Sequence, residues 1–506
     1  MIAEIRSGAV VGIDGYGVSV EIDIARGLPT FTIVGMPDAA VRESRERVSA
    51  ALRNNGFRLP GSRITVNLAP ADIRKEGSSF DLPIAVGILH ASGQATFPLS
   101  TDMLLTGELA LDGRLKPVRG VLPVICHAKE NGYRAVIIPE GNGAEASVAH
   151  GIDIIPCADI MESLRYLSGE SDPRSIALTP EVPHEKDGFD FSQVTGHQSA
   201  IRALQIAAAG GHHTMMVGPP GSGKTMLARR FATILTPLEG DETLEVAKIL
   251  SVTGRLTPKV PRSRRPFRSP HHSASDAGLV GGGRHASPGE ITLAHGGVLF
   301  LDELTEFRRN VLETLRQPLE EGSIVIARAG AVCRYPARFQ LLAAMNPCPC
   351  GFRGSPLRSC SCTPAAVKRY LSKISGPLLD RISIHIPVMV VEPERFEAGD
   401  EPRSSSEEIR AEVIKAACMQ KDRYKGDVDY RRNADLPLYA LERYCPMEDD
   451  AHNLLNRAQR TLKFSARSRR NIIQVARTIA DLDAYGMICP AHVAEAVQYR
   501  VPPDLL

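Results

Sequence analysis

The stretch Gly218-Pro219-Pro220-Gly221-Ser222-Gly223-Lys224-Thr225 constrains the fold more than any other part of the chain, because its neighbours fix what lies on either side of it. The residues before it, Thr214-Met215-Met216-Val217, are an apolar run suited to a buried strand, and Met226 to Ala232 continue with apolar positions at helical spacing. A strand, a glycine-rich turn and a helix in that order make a phosphate-binding loop. Glycines let main-chain N–H groups turn inward around a β-phosphate, Lys224 can reach the β- and γ-oxygens, and the Thr225 hydroxyl can ligate Mg²⁺. The motif predicts an α/β domain built on a parallel sheet and binding a nucleoside triphosphate such as ATP.

A second segment, Gly296-Gly297-Val298-Leu299-Phe300-Leu301-Asp302-Glu303, reads as a buried strand ending in two carboxylates. Phosphoryl transfer depends on positioning and charge neutralisation, so Asp302 suits the Mg²⁺ shell and Glu303 suits polarisation of an attacking water. Alone, an apolar run followed by two acids is more often a strand end with solvated charge. In a chain that also carries the loop at Gly218, it reads as the acidic half of a hydrolytic site.

At 506 residues the chain has room for two to four domains, each with its own core. Lys and Arg number 60 against 58 Asp and Glu, so global charge does not mark a polyanion-coating protein and any nucleic-acid contact has to come from local patches. Glu4 and Arg6 interrupt the N-terminal apolar residues, and no later stretch is long enough to span a bilayer, so a cytoplasmic protein without a membrane partner is expected. In that compartment ten cysteines are not expected to be structural disulfides.

Alternation from Ala9 to Ile24, the run Phe31 to Val34 and a helical pattern from Ala39 to Asn55 predict an α/β N-terminal domain over residues 1–168. Further strands are expected at Ile64 to Leu68, near Ala135 to Ile138 and at Ile154-Ile155, with helices near Leu82 to Ala91 and Val121 to Asn131. A polar, Pro-containing stretch over 169–188 reads as a linker, followed by the nucleotide-binding domain at 189–395. Residues 405–506 read as a helical domain, in which Ile472, Val475, Ala476 and Ile479 form one apolar face.

The motifs resemble those of the AAA+ ATPases, and of their magnesium-chelatase-like branch in particular. The resemblance rests on Pro270-His271-His272-Ser273-Ala274-Ser275, Gly281-Gly282-Gly283, Pro288-Gly289-Glu290, Ala294 to Glu303, and Ala343-Ala344-Met345-Asn346-Pro347. It implies an αβα core with a helix-2 insertion between Lys224 and Asp302 and a hairpin over Gly322 to Phe339, both usually facing a ring's central pore. It makes Asn346 the sensor 1 residue, against the ordinary reading of an Asn after a strand as a turn residue. Arg381, in Gly376-Pro377-Leu378-Leu379-Asp380-Arg381, matches the arginine finger that completes a neighbour's site; a solvated Arg paired with Asp380 is the alternative. Arg467 is the best match to sensor 2, with Arg469 and Arg470 close beside it.

Across almost the whole chain, the domain order is similar to that of the ComM/YifB family of bacterial competence-related ATPases. That likeness implies a homo-oligomeric, hexameric ring acting on single-stranded or branched DNA as a helicase for branch migration during integration of transforming DNA. Arg328 and Arg334 on the hairpin and Arg284 and His285 in the insertion are the candidate DNA contacts; the same side chains also suit solvated or intersubunit positions. Lys75 to Ser79, Thr106 to Leu109, Gly113 to Val118 and Val136 to Glu140 resemble a Lon-protease-like fold, also described as ribosomal S5 domain 2-like. Ser79 falls near the place of the Lon nucleophile, but Leu122 stands where the activating Lys belongs, so a non-proteolytic scaffold is expected. A chelatase motor subunit for porphyrin metallation and a protein-remodelling ATPase are the competing readings.

Cys348-Pro349-Cys350 and Cys360-Ser361-Cys362 bracket a short loop containing Arg353 and Arg358. Four thiolates so close in sequence suit a tetrahedral Zn²⁺ site, although Cys-x-Cys is tighter than the usual Cys-x-x-Cys knuckle. Reduced, metal-free thiols and a redox sensor are the alternatives.

Overall fold

Two sheets organise the chain. The computed structural model describes residues 2–98, 101–171, 188–256, 263–283, 286–328, 331–356, 358–391, 404–427 and 430–500. Arg284, His285 and most of the expected linker therefore lie outside the described residues, as does the side chain of Arg328.

The N-terminal sheet has seven strands. From edge to edge they are Thr30–Val34, Arg63–Ala69, Asp14–Ala25, Ile2–Val11, Met103–Leu105, Ala135–Pro139 and Asp153–Cys157. The pairing is mixed: Ile2–Val11 runs antiparallel to Asp14–Ala25 and parallel to Met103–Leu105. Helices Ala39–Asn54, Asp81–Ala91 and Ile160–Leu167 contribute buried residues to the same core as this sheet.

The central sheet is wholly parallel, in the order Phe267–Arg268, Val298–Leu301, Gln340–Met345, Thr214–Val217, Ile384–Pro387. Every residue of the three middle strands is buried, as expected for strands covered by helices on both faces. The strand leading into the phosphate loop lies beside Gln340–Met345, whose C-terminal end leads directly to Asn346. Ligands of open parallel sheets bind outside the carboxyl ends of such strands, so this register alone brings the two motifs to one edge.

The architecture has an N-terminal α/β part, a central parallel-sheet part and a C-terminal helical part. By packing, however, the chain forms two compact units: Met1–His184 with Glu239–Arg262, and Glu185–Leu238 with Ser263–Leu506. Two features of the packing cross the boundaries expected at 189–395 and 405–506. The helix Gly240–Val252, inside the expected ATPase domain, belongs to the N-terminal unit: Ala247 packs with Leu122 and Cys126, and the Ser251 hydroxyl bonds to the buried Glu145 carboxylate. The C-terminal helices share one apolar core with the central sheet, where Ile472, Val475 and Ile479 join Phe231, Phe300 and Ile384.

Within the second unit, the hairpin Ser323–Arg328 with Ala331–Pro336 packs on a small ribbon, Gly281–Gly282 with Ser287–Pro288. Tyr335 donates a hydrogen bond to the Ala286 carbonyl at 2.8 Å. This ribbon of the insertion and the hairpin before Asn346 thus pack together.

Candidate active site at the phosphate loop

The loop geometry follows from its glycines. Gly221 and Gly223 have φ of +76° and +85°, and a Cβ on Gly218 would lie 2.1 Å from the Val388 carbonyl oxygen. Gly223 is the N-cap of the helix Lys224–Phe231 and provides no side-chain cap, so the first helical N–H groups point out of the helix end toward the cradle. Ser222 Oγ is buried without a protein hydrogen-bond partner in the same loop.

Lys224 Nζ donates to the carbonyls of Gly218 and Pro219, each at 2.8 Å, and lies 3.3 Å from Asn346 Oδ1. Burial pulls its pKa down, while Asp302 and Glu303 oppose that shift. Thr225 Oγ1 donates to Asp302 Oδ2 at 2.7 Å, so the hydroxyl and carboxylate expected to serve Mg²⁺ are already adjacent. Two oxygen donors of this hardness beside an anion-binding helix end fit Mg²⁺ with a triphosphate.

Glu303 follows Asp302 with φ of +52°, a left-handed conformation uncommon for a non-glycine residue and concentrated at functional sites. Its N–H donates to Asp302 Oδ1 at 2.9 Å, and its carboxylate lies 3.2 Å from His272 Nδ1. His272 stands against His271, with ring centroids 4.1 Å apart. In the sequence His272 carries only family resemblance; the structure gives it a contact with the candidate base. Beside Glu303 and Asn346 lies a cavity of about 480 Å³ whose other lining residues include Pro349, Arg369, Tyr370 and Lys373.

The arginines separate. Arg381 is 8 % exposed, and its guanidinium pairs with Glu320 rather than with Asp380. Asp380 is instead bonded to Arg500 at 3.1 Å, which removes the simple alternative of an Arg381–Asp380 pair. Arg467 reaches the same Glu320 oxygen at 3.1 Å, so Arg381 and Arg467 converge on one carboxylate. These guanidinium groups, Arg381 foremost, hold the Glu320 carboxyl below its ordinary range. Arg469 is committed elsewhere, to Asn456 at 2.9 Å and Gln459 at 2.7 Å. Glu320 had no signal in the sequence, because a carboxylate in a polar helical stretch is the commonest of surface features.

Of the candidate DNA contacts, Arg334 is exposed and donates to Ser323 Oγ at 3.1 Å. Val325 and Val332 are exposed on the same hairpin. The sulfurs of Cys348, Cys350 and Cys360 lie 3.4 to 3.7 Å apart, and all four cysteines fall within one cluster. In the N-terminal unit Leu122 is fully buried, and its N–H donates to Glu145 at 3.2 Å. No helix among the described residues is long and apolar enough to cross a membrane.

Comparison with known proteins finds likeness over the whole chain. Residues 190–396 match the family described as magnesium chelatase, subunit ChlI; residues 20–142 match subunit ChlI of Mg-chelatase, and residues 403–500 match the ChlI C-terminal family. The chain is 41% identical over 513 residues to the competence protein ComM of Haemophilus influenzae, covering 100% of this chain and 98% of that protein. It is 40% identical over 506 residues to the YifB protein of Salmonella typhimurium, again covering 100% and 98%. A shorter likeness, 35% identical over 122 residues, joins 24% of the chain to 22% of Lon protease 2 of Bacillus subtilis. The chain is an ATP-hydrolysing enzyme, and likeness that spans both partners end to end places it in the ComM/YifB family of magnesium-chelatase-like AAA+ ATPases.

Proposed function

We propose that this chain is an ATP-driven DNA motor that assembles as a hexameric ring and promotes branch migration when incoming DNA is integrated. The observation that carries the reading is the convergence of Lys224, Thr225, Asp302, Glu303 and Asn346 at one sheet edge, in a chain similar from end to end to a competence protein.

Lys224 and the loop N–H groups bind and orient the triphosphate, and Thr225 with Asp302 would hold a Mg²⁺, which would supply charge neutralisation. Glu303 accepts the proton of the attacking water, and Asn346 orients the water or the γ-phosphate. Arg381, with Arg467 beside it, serves the site of the adjacent subunit, exchanging Glu320 for phosphate oxygen. The hairpin carries Arg334 to the strand being moved, where basic side chains engage phosphates, and Arg284, His285 and Arg328 are assigned to the same strand from the sequence alone. The four-cysteine cluster is a second metal position, for Zn²⁺. Leu122 leaves the Lon-like N-terminal unit without a base for Ser79, so it serves as a scaffold.

The test is ATP-dependent strand displacement on three- and four-stranded DNA junctions, with Lys224→Ala as control. Displacement by the wild-type chain and none by the variant is expected. ATP hydrolysis without displacement or stimulation by DNA would contradict the reading.

The contact of His272 with Glu303 leads to a narrower expectation. His272→Ala should lower turnover by about tenfold or more with ATP affinity kept, because a displaced base loses alignment rather than binding. His272→Gln, which keeps a donor near Glu303, should recover part of that loss. Equal rates for wild type and His272→Ala, measured by phosphate release, would remove His272 from the site.

A further inference from the structure

The four cysteines lie where they can do more than brace a loop. With Zn–S bonds of about 2.3 Å, the sulfurs of a tetrahedral site stand about 3.8 Å apart. Here Cys348 and Cys350 are 3.4 Å apart, Cys348 and Cys360 3.7 Å, and Cys350 and Cys360 3.6 Å. These separations are too long for disulfides, and the ligand atoms of all four cysteines lie within 4.8 Å of one another. The main chain also turns toward the sulfurs: Cys350 N–H donates to Cys362 Sγ at 3.4 Å and Cys362 N–H to Cys360 Sγ at 3.5 Å. Such donors complement thiolates.

The two ends of this loop lead to the catalytic edge. Cys348 is two residues beyond Asn346. On the other side, Thr363 caps the helix Pro364–Leu371 directly after Cys362. That helix brings Tyr370 to the cavity that Asn346 also lines, and its Lys373 extension donates to the Thr305 carbonyl at 2.9 Å. Between the cysteine pairs, Gly351 has φ of +85° and presses its backbone on the phosphate loop itself. A Cβ there would stand 2.6 Å from Pro220 Cδ.

We infer that Cys348, Cys350, Cys360 and Cys362 bind one Zn²⁺ that clasps the sensor loop against Pro220, so that zinc occupancy controls ATP turnover through the placement of Asn346. The effect on turnover rests on the role given to Asn346; the metal site does not. Asn346 is here a positioning target, so loss of zinc should lower kcat while leaving nucleotide binding by Lys224 and the loop N–H groups in place.

The experiment uses the full-length protein. Metal analysis should find about one zinc per chain, and Co²⁺ substitution should give the absorption bands of a tetrahedral tetrathiolate site. The Cys360→Ser/Cys362→Ser variant should lose the metal, and its kcat should fall by about 10–100-fold with nucleotide affinity little changed. Stripping zinc with a chelator should do the same, reversed by Zn²⁺ alone. If metal removal unfolds the chain, Gly351→Ala decides: it should keep its zinc and still lose turnover, because the new methyl group displaces Pro220. Absence of bound zinc together with absence of a Co²⁺ spectrum would overturn the site. Full kcat in folded zinc-free protein, or in zinc-loaded Gly351→Ala, would overturn the coupling. Neither metal readout involves DNA or ATP, so the zinc site can fail while the motor stands, and the reverse.

Discussion

Glu303→Gln is expected to bind ATP as the wild type does and to turn it over about 10²–10⁴-fold more slowly, the usual contribution of a positioned general base. The substitution preserves size and one acceptor oxygen while removing the charge and the ability to take a proton. Binding should survive because Lys224, Thr225 and the loop N–H groups do not depend on the Glu303 charge for their contacts. Equilibrium binding of a fluorescent ATP analogue and single-turnover phosphate release separate the two effects. Normal turnover in Glu303→Gln would mean that another group activates the water. Asp302 is the adjacent carboxylate in the chain, but it is engaged by Thr225 and by the Glu303 N–H.

Arg381→Ala should cost about 10³–10⁵-fold in the turnover of the assembled ring, the range typical of an arginine finger. In the isolated chain Arg381 is largely buried and paired with Glu320, and its Nε has no hydrogen-bond partner. A guanidinium with one unsatisfied N–H in a buried setting gains from exchanging part of its shell for a phosphate oxygen. Arg381→Lys should not restore activity, because an ammonium cannot engage Glu320 and phosphate with the same planar fork. Sedimentation of each variant with ATP distinguishes a lost finger from a lost ring. Retained assembly with lost turnover is the expected pattern.

What could be read from the chain divides by range. The strand Thr214–Val217, the helix starting at Lys224 and the strand Val298–Leu301 are local patterns, and the structure forms them where the apolar runs and glycines require. The strand Gln340–Met345 that leads to Asn346 is likewise a local, continuous pattern. The partner of Arg381 is not local. Asp380 is its sequence neighbour and the natural choice, but Arg500 takes that carboxylate, and Glu320 reaches Arg381 only through the folded core. The same holds for Gly240–Val252. Its sequence position puts it in the nucleotide domain, and only the apolar match of Ala247 with Leu122 and Cys126 shows that it belongs with the N-terminal unit. Leu122 illustrates both levels, since its identity at the expected Lys position is local and its packing against this helix is not. His272 was legible as part of a motif, but its pairing with Glu303 depends on how the inserted segment folds back.

Whether the site is shared between subunits, as proposed, is tested most directly by co-expression of two differently tagged variants. Lys224→Ala chains lack a working phosphate loop but keep Arg381; Arg381→Ala chains keep the loop but lack the finger. Each alone should be nearly inactive. In a ring assembled at random from equal amounts, about a quarter of the interfaces combine an intact loop with an intact finger. ATP turnover of the doubly purified mixed ring should therefore rise well above that of either variant alone. Mixed rings no more active than the two separate variants would contradict an active site completed by the neighbouring subunit.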